Sequence, residues 1–166
     1  MYKRQDQAVA GFRSRVLPLL FAGYLLNFID RTNISYAQLQ MGSDIGLSLA
    51  AYGFGAGLFF FGYACVCVPA NLALQRVGIQ RWLAFVFLSW GLVACLMSTV
   101  QGEKSFYAMR FLLGLTEGGF IPAVNFYITS WIPPRYRSRL NSVFIMALPV
   151  ACLLYTSDAA DEGLGV

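Results

Sequence analysis

The sequence predicts an all-α integral membrane protein, and three observations carry that prediction. Hydrophobic residues make up 58% of the 166 residues and charged residues 12%, about half the charged share of an ordinary soluble domain. Mean hydropathy is +0.60. Uncharged runs of 31 residues (between Asp44 and Arg76) and 21 residues (between Arg81 and Glu103) interrupt the chain, and about 20 mostly apolar residues suffice for a helix to cross the hydrocarbon core. Basic residues cluster in alternate connections between the apolar runs, as they do where loops alternate across a membrane. The composition excludes a disordered segment and a fibre. The net charge of +4 is too small and too dispersed for a nucleic-acid footprint.

Taken in order, the elements are four complete spans and the start of a fifth. Span one lies near 16–38 and carries Asp30 and Arg31; span two near 50–72 and span three near 82–100 are free of charge. Span four, near 106–131, carries Arg110 and Glu117, and a fifth apolar run opens near 140. Arg13, Arg15, Arg76, Arg81, Arg135, Arg137 and Arg139 fall on one side of the membrane and Lys104 on the other, so the N-terminus is expected in the cytoplasm. The first apolar run carries Asp30-Arg31 and lacks a small-x-small cleavage site, so no signal peptide is expected.

Both ends look foreign to this pattern. Residues 1–5 and 152–166 resemble translated sequencing-adapter DNA, and the apolar run from Asn141 breaks into Asp158, Asp161 and Glu162 with no linker. The expected native portion is therefore 6–151, itself truncated.

Histidine is absent, which leaves proton chemistry to carboxylates. The cysteines are Cys65, Cys67, Cys95 and Cys152. Cys65 and Cys67 are two apart, which turns their side chains about 200° from each other on a helix, so all four are expected as small packing residues. No metal or cofactor is expected.

The chemistry concentrates in the four charges inside spans. At mid-membrane each costs about 2.5–3.5 kcal/mol, roughly 10–14 kcal/mol in all, so they should face a polar cavity or one another. In span one Tyr24, Asn27, Arg31, Ser35 and Gln38 recur by threes and fours and share a face, with Asp30 at its edge. In span four Arg110 and Glu117 stand two turns apart on one face with Gly114 between them, and Asn125 extends near that line. Two such stripes describe the wall of an aqueous cavity. Its arginines favour an anion, and its carboxylates can take protons as substrate binds. The plainer alternative is a pair of interhelical ion pairs that only hold spans one and four together.

Glycines mark expected close approaches: Gly53, Gly55, Gly57 and Gly62 in span two, including Gly53-x-x-x-Gly57, and Gly114, Gly118 and Gly119 in span four. Pro122 should kink span four and free a carbonyl near the cavity.

These residues resemble the major facilitator superfamily, and within it the anion:cation symporters of the tartrate and phthalate permease kind. The likeness rests on five motifs in order: Asn27-Phe-Ile-Asp-Arg-Thr-Asn-Ile34; Tyr52-Gly-Phe-Gly-Ala-Gly57 with Phe61-Gly-Tyr63; Pro69-Ala-Asn71 through Arg76-Val-Gly78 to Arg81-Trp82; Arg110-Phe-Leu-Leu-Gly114 with Glu117-Gly-Gly-Phe-Ile-Pro122; and Trp131-Ile-Pro-Pro-Arg-Tyr-Arg137. The third departs from the superfamily pattern, having Asn71 and Gln75 where glycine and aspartate are usual, so the usual latching contact of that loop cannot form.

The resemblance implies the N-terminal part of a twelve-helix transporter in the bacterial cytoplasmic membrane, monomeric when full length and inactive as a fragment. It would carry an organic anion (a dicarboxylate, sugar acid or aromatic acid) together with protons by alternating access. It implies proton sites at Asp30 and Glu117, substrate contacts at Arg31, Asn27 and Tyr63, and Arg110 as the charge partner of the two acids. Asn71, Gln75, Arg76, Gly78 and Arg81 would form a cytoplasmic gating loop. The rivals are a four-span proton–drug antiporter, in which two membrane arginines would repel a cation, and a non-transporting membrane interaction protein. A thiol oxidoreductase lacks its Cys-x-x-Cys.

Overall fold

The computed structural model describes residues 6, 9–44 and 46–153, with the backbone alone for 33–44. The adapter-like ends lie outside the described residues except Cys152 and Leu153, which are helical. The side chains of Ser35 and Gln38, expected on the span-one stripe, also lie outside the description.

Every secondary-structure element of the described chain is a helix. A π-helical turn at Phe12–Val16 leads into α1 (Leu17–Asp44), followed by α2 (Leu49–Val77), α3 (Ile79–Met97), α4 (Glu103–Glu117), α5 (Phe120–Trp131) and α6 (Pro134–Ile145). Four stretches are long and apolar enough to cross a membrane: Val9–Thr32, Leu49–Val77, Ile79–Met97 and Glu103–Trp131. These are the four expected spans. Large apolar side chains remain on their surfaces, among them Leu26, Phe54, Phe60, Phe85, Leu88 and Leu92, as suits helices whose solvent is lipid.

The helix ends correct the expected limits. α1 runs on to Asp44, so the connection expected at 39–49 shrinks to a few residues around Gly46, whose φ is +68°. Ser48 then caps α2 by accepting a hydrogen bond from the Ala51 N–H at 3.1 Å. α2 does not stop near 72 but continues through Pro69 to Val77, held down by buried Leu74. The connection between spans two and three is one residue, Gly78, at φ +87°, a conformation in which only glycine is unstrained. Its N–H closes on the Leu74 carbonyl at 3.0 Å, and its carbonyl accepts from the Trp82 N–H at 3.1 Å.

Two compact units make up the chain: residues 1–33 with 128–166, and residues 34–127. In the first, the Tyr24 ring stacks on Phe144 with centroids 4.8 Å apart. The second contains α2, α3, α4 and the start of α5, and its core joins Phe59, Trp90, Val93 and Leu113.

Glycine makes the second unit's main helix contact. A Cβ at Gly114 would overlap the Phe59 carbonyl oxygen and lie 3.0 Å from the Tyr63 nitrogen; one at Gly62 would lie 2.6 Å from the Phe111 carbonyl oxygen. Backbone thus meets backbone between α2 and α4. The Gly53-x-x-x-Gly57 pair takes no part in this. Nothing lies within 4 Å of where their Cβ atoms would be, because the contact face of α2 carries Gly55, Phe59 and Gly62 instead.

Candidate functional site

Among the described residues, the two most deeply placed charges are on α4. Arg110 is 4% exposed and Glu117 1%, with Gly114 midway between them. Seven residues of helix separate them, about 10 Å along the axis. The Phe59–Tyr63 turn of α2 lies against this stretch, because only glycine at 114 lets the backbones meet. The Arg110 guanidinium carbon sits 4.9 Å from the centre of the Phe59 ring. A desolvated cation–π contact of this kind is worth about 2 kcal/mol, so Phe59 offsets part of the cost of burying the charge. Tyr63 is half-buried on the same turn and packs against the core around Phe59 and Trp90. Its carbonyl oxygen would lie 2.7 Å from a Cβ at Gly118, the residue after Glu117. Tyr63, Arg110 and Glu117 therefore share one helix interface.

The remaining expected site residues lie elsewhere. Asn27, Asp30 and Arg31 belong to the first unit, on α1; Asn27 is buried, and Asp30 and Arg31 are half-buried. Asn71, Gln75, Arg76, Gly78 and Arg81 are all exposed. In place of the expected loop, Asn71, Gln75 and Arg76 lie on the last turns of α2 and Arg81 on the first turn of α3, around the single glycine.

Where a kink is expected in span four, the helix is interrupted for two residues, although the Gly118 N–H still donates to the Gly114 carbonyl at 3.0 Å. α4 ends at Glu117 and α5 begins at Phe120. Pro122 has no N–H to offer the Gly118 carbonyl, and the two adjacent glycines let Tyr63 and Trp82 approach closely there. The freed carbonyls are occupied by neighbouring helices within the second unit rather than left to a cavity. The Cys67 thiol donates to the Gly118 oxygen at 3.7 Å, and the Trp82 indole N–H donates to the Gly119 oxygen at 3.2 Å. The break also interrupts the polar stripe: Asn125 is exposed, whereas Glu117 is buried.

Three further residues have roles that the motifs do not announce. Arg137 caps α5, its Nε donating to the Ile132 carbonyl at 2.8 Å and its Nη2 to the Thr129 carbonyl at 2.5 Å. A cation here also answers the negative end of the helix dipole. The Arg135 guanidinium and the Tyr136 hydroxyl both donate to Asp6 Oδ1, at 2.7 and 2.8 Å. That shared carboxylate holds the Tyr136 phenol above its ordinary pKa of 10.0, chiefly through the hydrogen bond.

Membrane-length helices, charges buried on span four and an interface of glycines agree with the comparison to known proteins. The sequence matches the Major Facilitator Superfamily over residues 20–156. The chain belongs to the major facilitator superfamily. Among its relatives are a quinolone resistance transporter of Acinetobacter baumannii and a putative tartrate transporter of Agrobacterium vitis. Each is 44% identical over 84% of this chain and 32% of its own length. The inner membrane transport protein RhmT of Escherichia coli is 38% identical over 90% of this chain and 35% of its own. A solved bacterial homolog of the human lysosomal transporter Spinster, in an inward-facing and occupied conformation, is also similar. It gives a TM-score of 0.71 at 27% identity over 84% of this chain and 30% of that one. This member of the superfamily thus spans about a third of the length of its relatives, and it is a multi-pass membrane protein whose relatives are transporters.

Proposed function

We propose that this chain is the N-terminal part of a proton-coupled symporter that takes up an organic anion by alternating access. The observation that supports it most is the pair of charges sealed into α4. A cation and an acid at 4% and 1% exposure are costly to keep inside a membrane protein. A role in handling charge accounts for that cost, and the tight Gly114 contact gives α4 a firm seat. The relatives named as tartrate transporters support an organic acid as the cargo.

In this reading the anion docks on Arg31, with Asn27 and Tyr63 as neutral contacts. Asp30 and Glu117 take protons on the outward-facing side, and Arg110 balances the charge that remains. Loading neutralises the buried charge, so the helix bundles can rock, and the cytoplasmic side releases proton and anion. In the same reading the arginine-rich connections favour a cytoplasmic N-terminus, in a bacterial plasma membrane.

Labelled tartrate offered to proteoliposomes containing the full-length transporter, under an imposed pH gradient, tests the reading. Inward accumulation that fails with Arg31→Gln supports it. Accumulation by Arg31→Gln at the parent rate refutes the docking role. A second reading, export of a drug, has one observation in its favour: the Acinetobacter relative is named a quinolone resistance transporter. Loss of preloaded quinolone against its gradient, with no tartrate uptake, would favour export.

A further inference from the structure

We propose that the first unit carries a binding site for an anionic phospholipid at its arginine-rich membrane edge. A cavity of about 210 Å³ opens there. Its apolar walls are Val9, Leu17, Leu140 and Val143, and its polar lining is Arg13, Arg139 and Tyr136. The spacing explains the two walls: 9, 13 and 17 recur by fours, and 136, 139, 140 and 143 follow the i, i+3, i+4, i+7 pattern of one helix face.

Depth and charge indicate the occupant. Arg13 precedes the first expected span, near 16–38, and Arg139 follows the fourth, which ends at Trp131, so this cavity lies where hydrocarbon gives way to headgroups. Leu17 and Leu140 are buried, whereas Arg13 and Arg139 are exposed. A molecule with an apolar part in the cavity and an anionic end at the exposed arginines suits both features. The volume falls below the ~300–1,000 Å³ of drug-sized sites but suits a phosphate headgroup and the first carbons of a chain. Basic pockets beside membrane helices favour anionic headgroups.

The neighbouring arginines are already committed. Arg135 is bound to Asp6, and Arg137 caps α5. Among the described residues, Arg13 and Arg139 make no ion pair. Asp6, the acid bonded to Tyr136, is held by Arg135 and so does not cancel their charge. The lipid site is separate from Asp30, Arg31, Arg110 and Glu117, and it does not depend on what is transported.

The test is native mass spectrometry of the purified chain released from detergent after mixing with phosphatidylglycerol or with phosphatidylcholine of identical chains. The parent should retain one phosphatidylglycerol in preference to phosphatidylcholine. Arg13→Gln with Arg139→Gln should weaken retention by roughly thirtyfold, whereas Arg76→Gln with Arg81→Gln, which removes the same charge elsewhere, should not. Val143→Phe, which fills the cavity without altering charge, should weaken it too. If the glutamine pair loses its helical circular dichroism, Arg13→Lys with Arg139→Lys replaces it: retention near the parent level with the lysine pair, and loss with Val143→Phe, supports the site. Equal loss with both glutamine pairs, unchanged retention after filling the cavity, or displacement by equimolar inorganic phosphate would overturn the proposal.

Discussion

Gly114→Ala should destabilise the chain even though alanine is the better helix former. A methyl at this position would overlap the Phe59 carbonyl oxygen and lie 3.0 Å from both the Phe59 carbonyl carbon and the Tyr63 nitrogen, where ordinary contact begins near 3.4 Å. All three neighbours are backbone atoms, so no side chain can swing away and α2 must retreat from α4. Overpacking of this kind costs about 1–3 kcal/mol, and rigid neighbours put it at the upper end. The gain from replacing a mid-helix glycine is about 0.5–1 kcal/mol. The net loss is therefore about 1–2 kcal/mol, or a fall of roughly 2–8 °C in melting temperature for a chain of this size. Gly57→Ala is the internal control. It lies on α2 with nothing within 4 Å of its added methyl, so it should gain the helix-propensity term alone. Thermal unfolding of both variants in one detergent, followed by helical circular dichroism, reads the difference. If Gly114→Ala melts at or above Gly57→Ala, the proposed backbone-to-backbone seat of α4 is wrong.

Three other outcomes follow from single contacts. Arg137→Ala removes two charged donors from the end of α5 and should cost about 1.5–3 kcal/mol, read as a lower unfolding midpoint. Arg137→Lys, with one compact ammonium in place of the fork, should recover only part. Trp82→Phe leaves the Gly119 carbonyl without its indole donor and should cost about 1–3 kcal/mol, with faster hydrogen exchange around the Gly118–Gly119 break as the local sign. Tyr136 should ionise above the ordinary 10.0 because Asp6 holds its proton. The hydrogen bond is intact below pH 10 and is lost as pH rises through the raised value. In spectrophotometric titration Asp6→Asn should bring one phenol back toward 10, and no change would contradict the bond.

The spans and their charges were legible because each is a local property. An uncharged run is counted directly, and Arg110, Gly114 and Glu117 fall on one face by spacing alone. Helix ends were less legible. The charged residues at 76 and 81 invite a loop between spans two and three, yet buried Leu74 and a single left-handed glycine let both helices run almost to each other. Glycine count also misled: Gly53 and Gly57 fit a familiar pairing pattern, but Gly55 and Gly62 face the partner, since which side of a helix meets a neighbour is a tertiary fact. The interruption in span four was half legible: Pro122 shows which carbonyl loses its helical partner, but not which side chain takes it. Least legible were the contacts that complete the site. Trp82 with Gly119, Cys67 with Gly118 and Arg110 with Phe59 are each separated by tens of residues, and no periodicity links them.

In the proposed transport cycle Glu117 carries a proton with the anion. The most direct measurement compares two modes in proteoliposomes bearing Glu117→Gln in the full-length transporter: accumulation of labelled tartrate driven by a pH gradient, and exchange of labelled for unlabelled tartrate with no gradient. Exchange should persist, because a neutral side chain mimics the loaded state, while gradient-driven accumulation should fall to the level of empty vesicles. Accumulation at the parent level in the variant would contradict the proton role of Glu117.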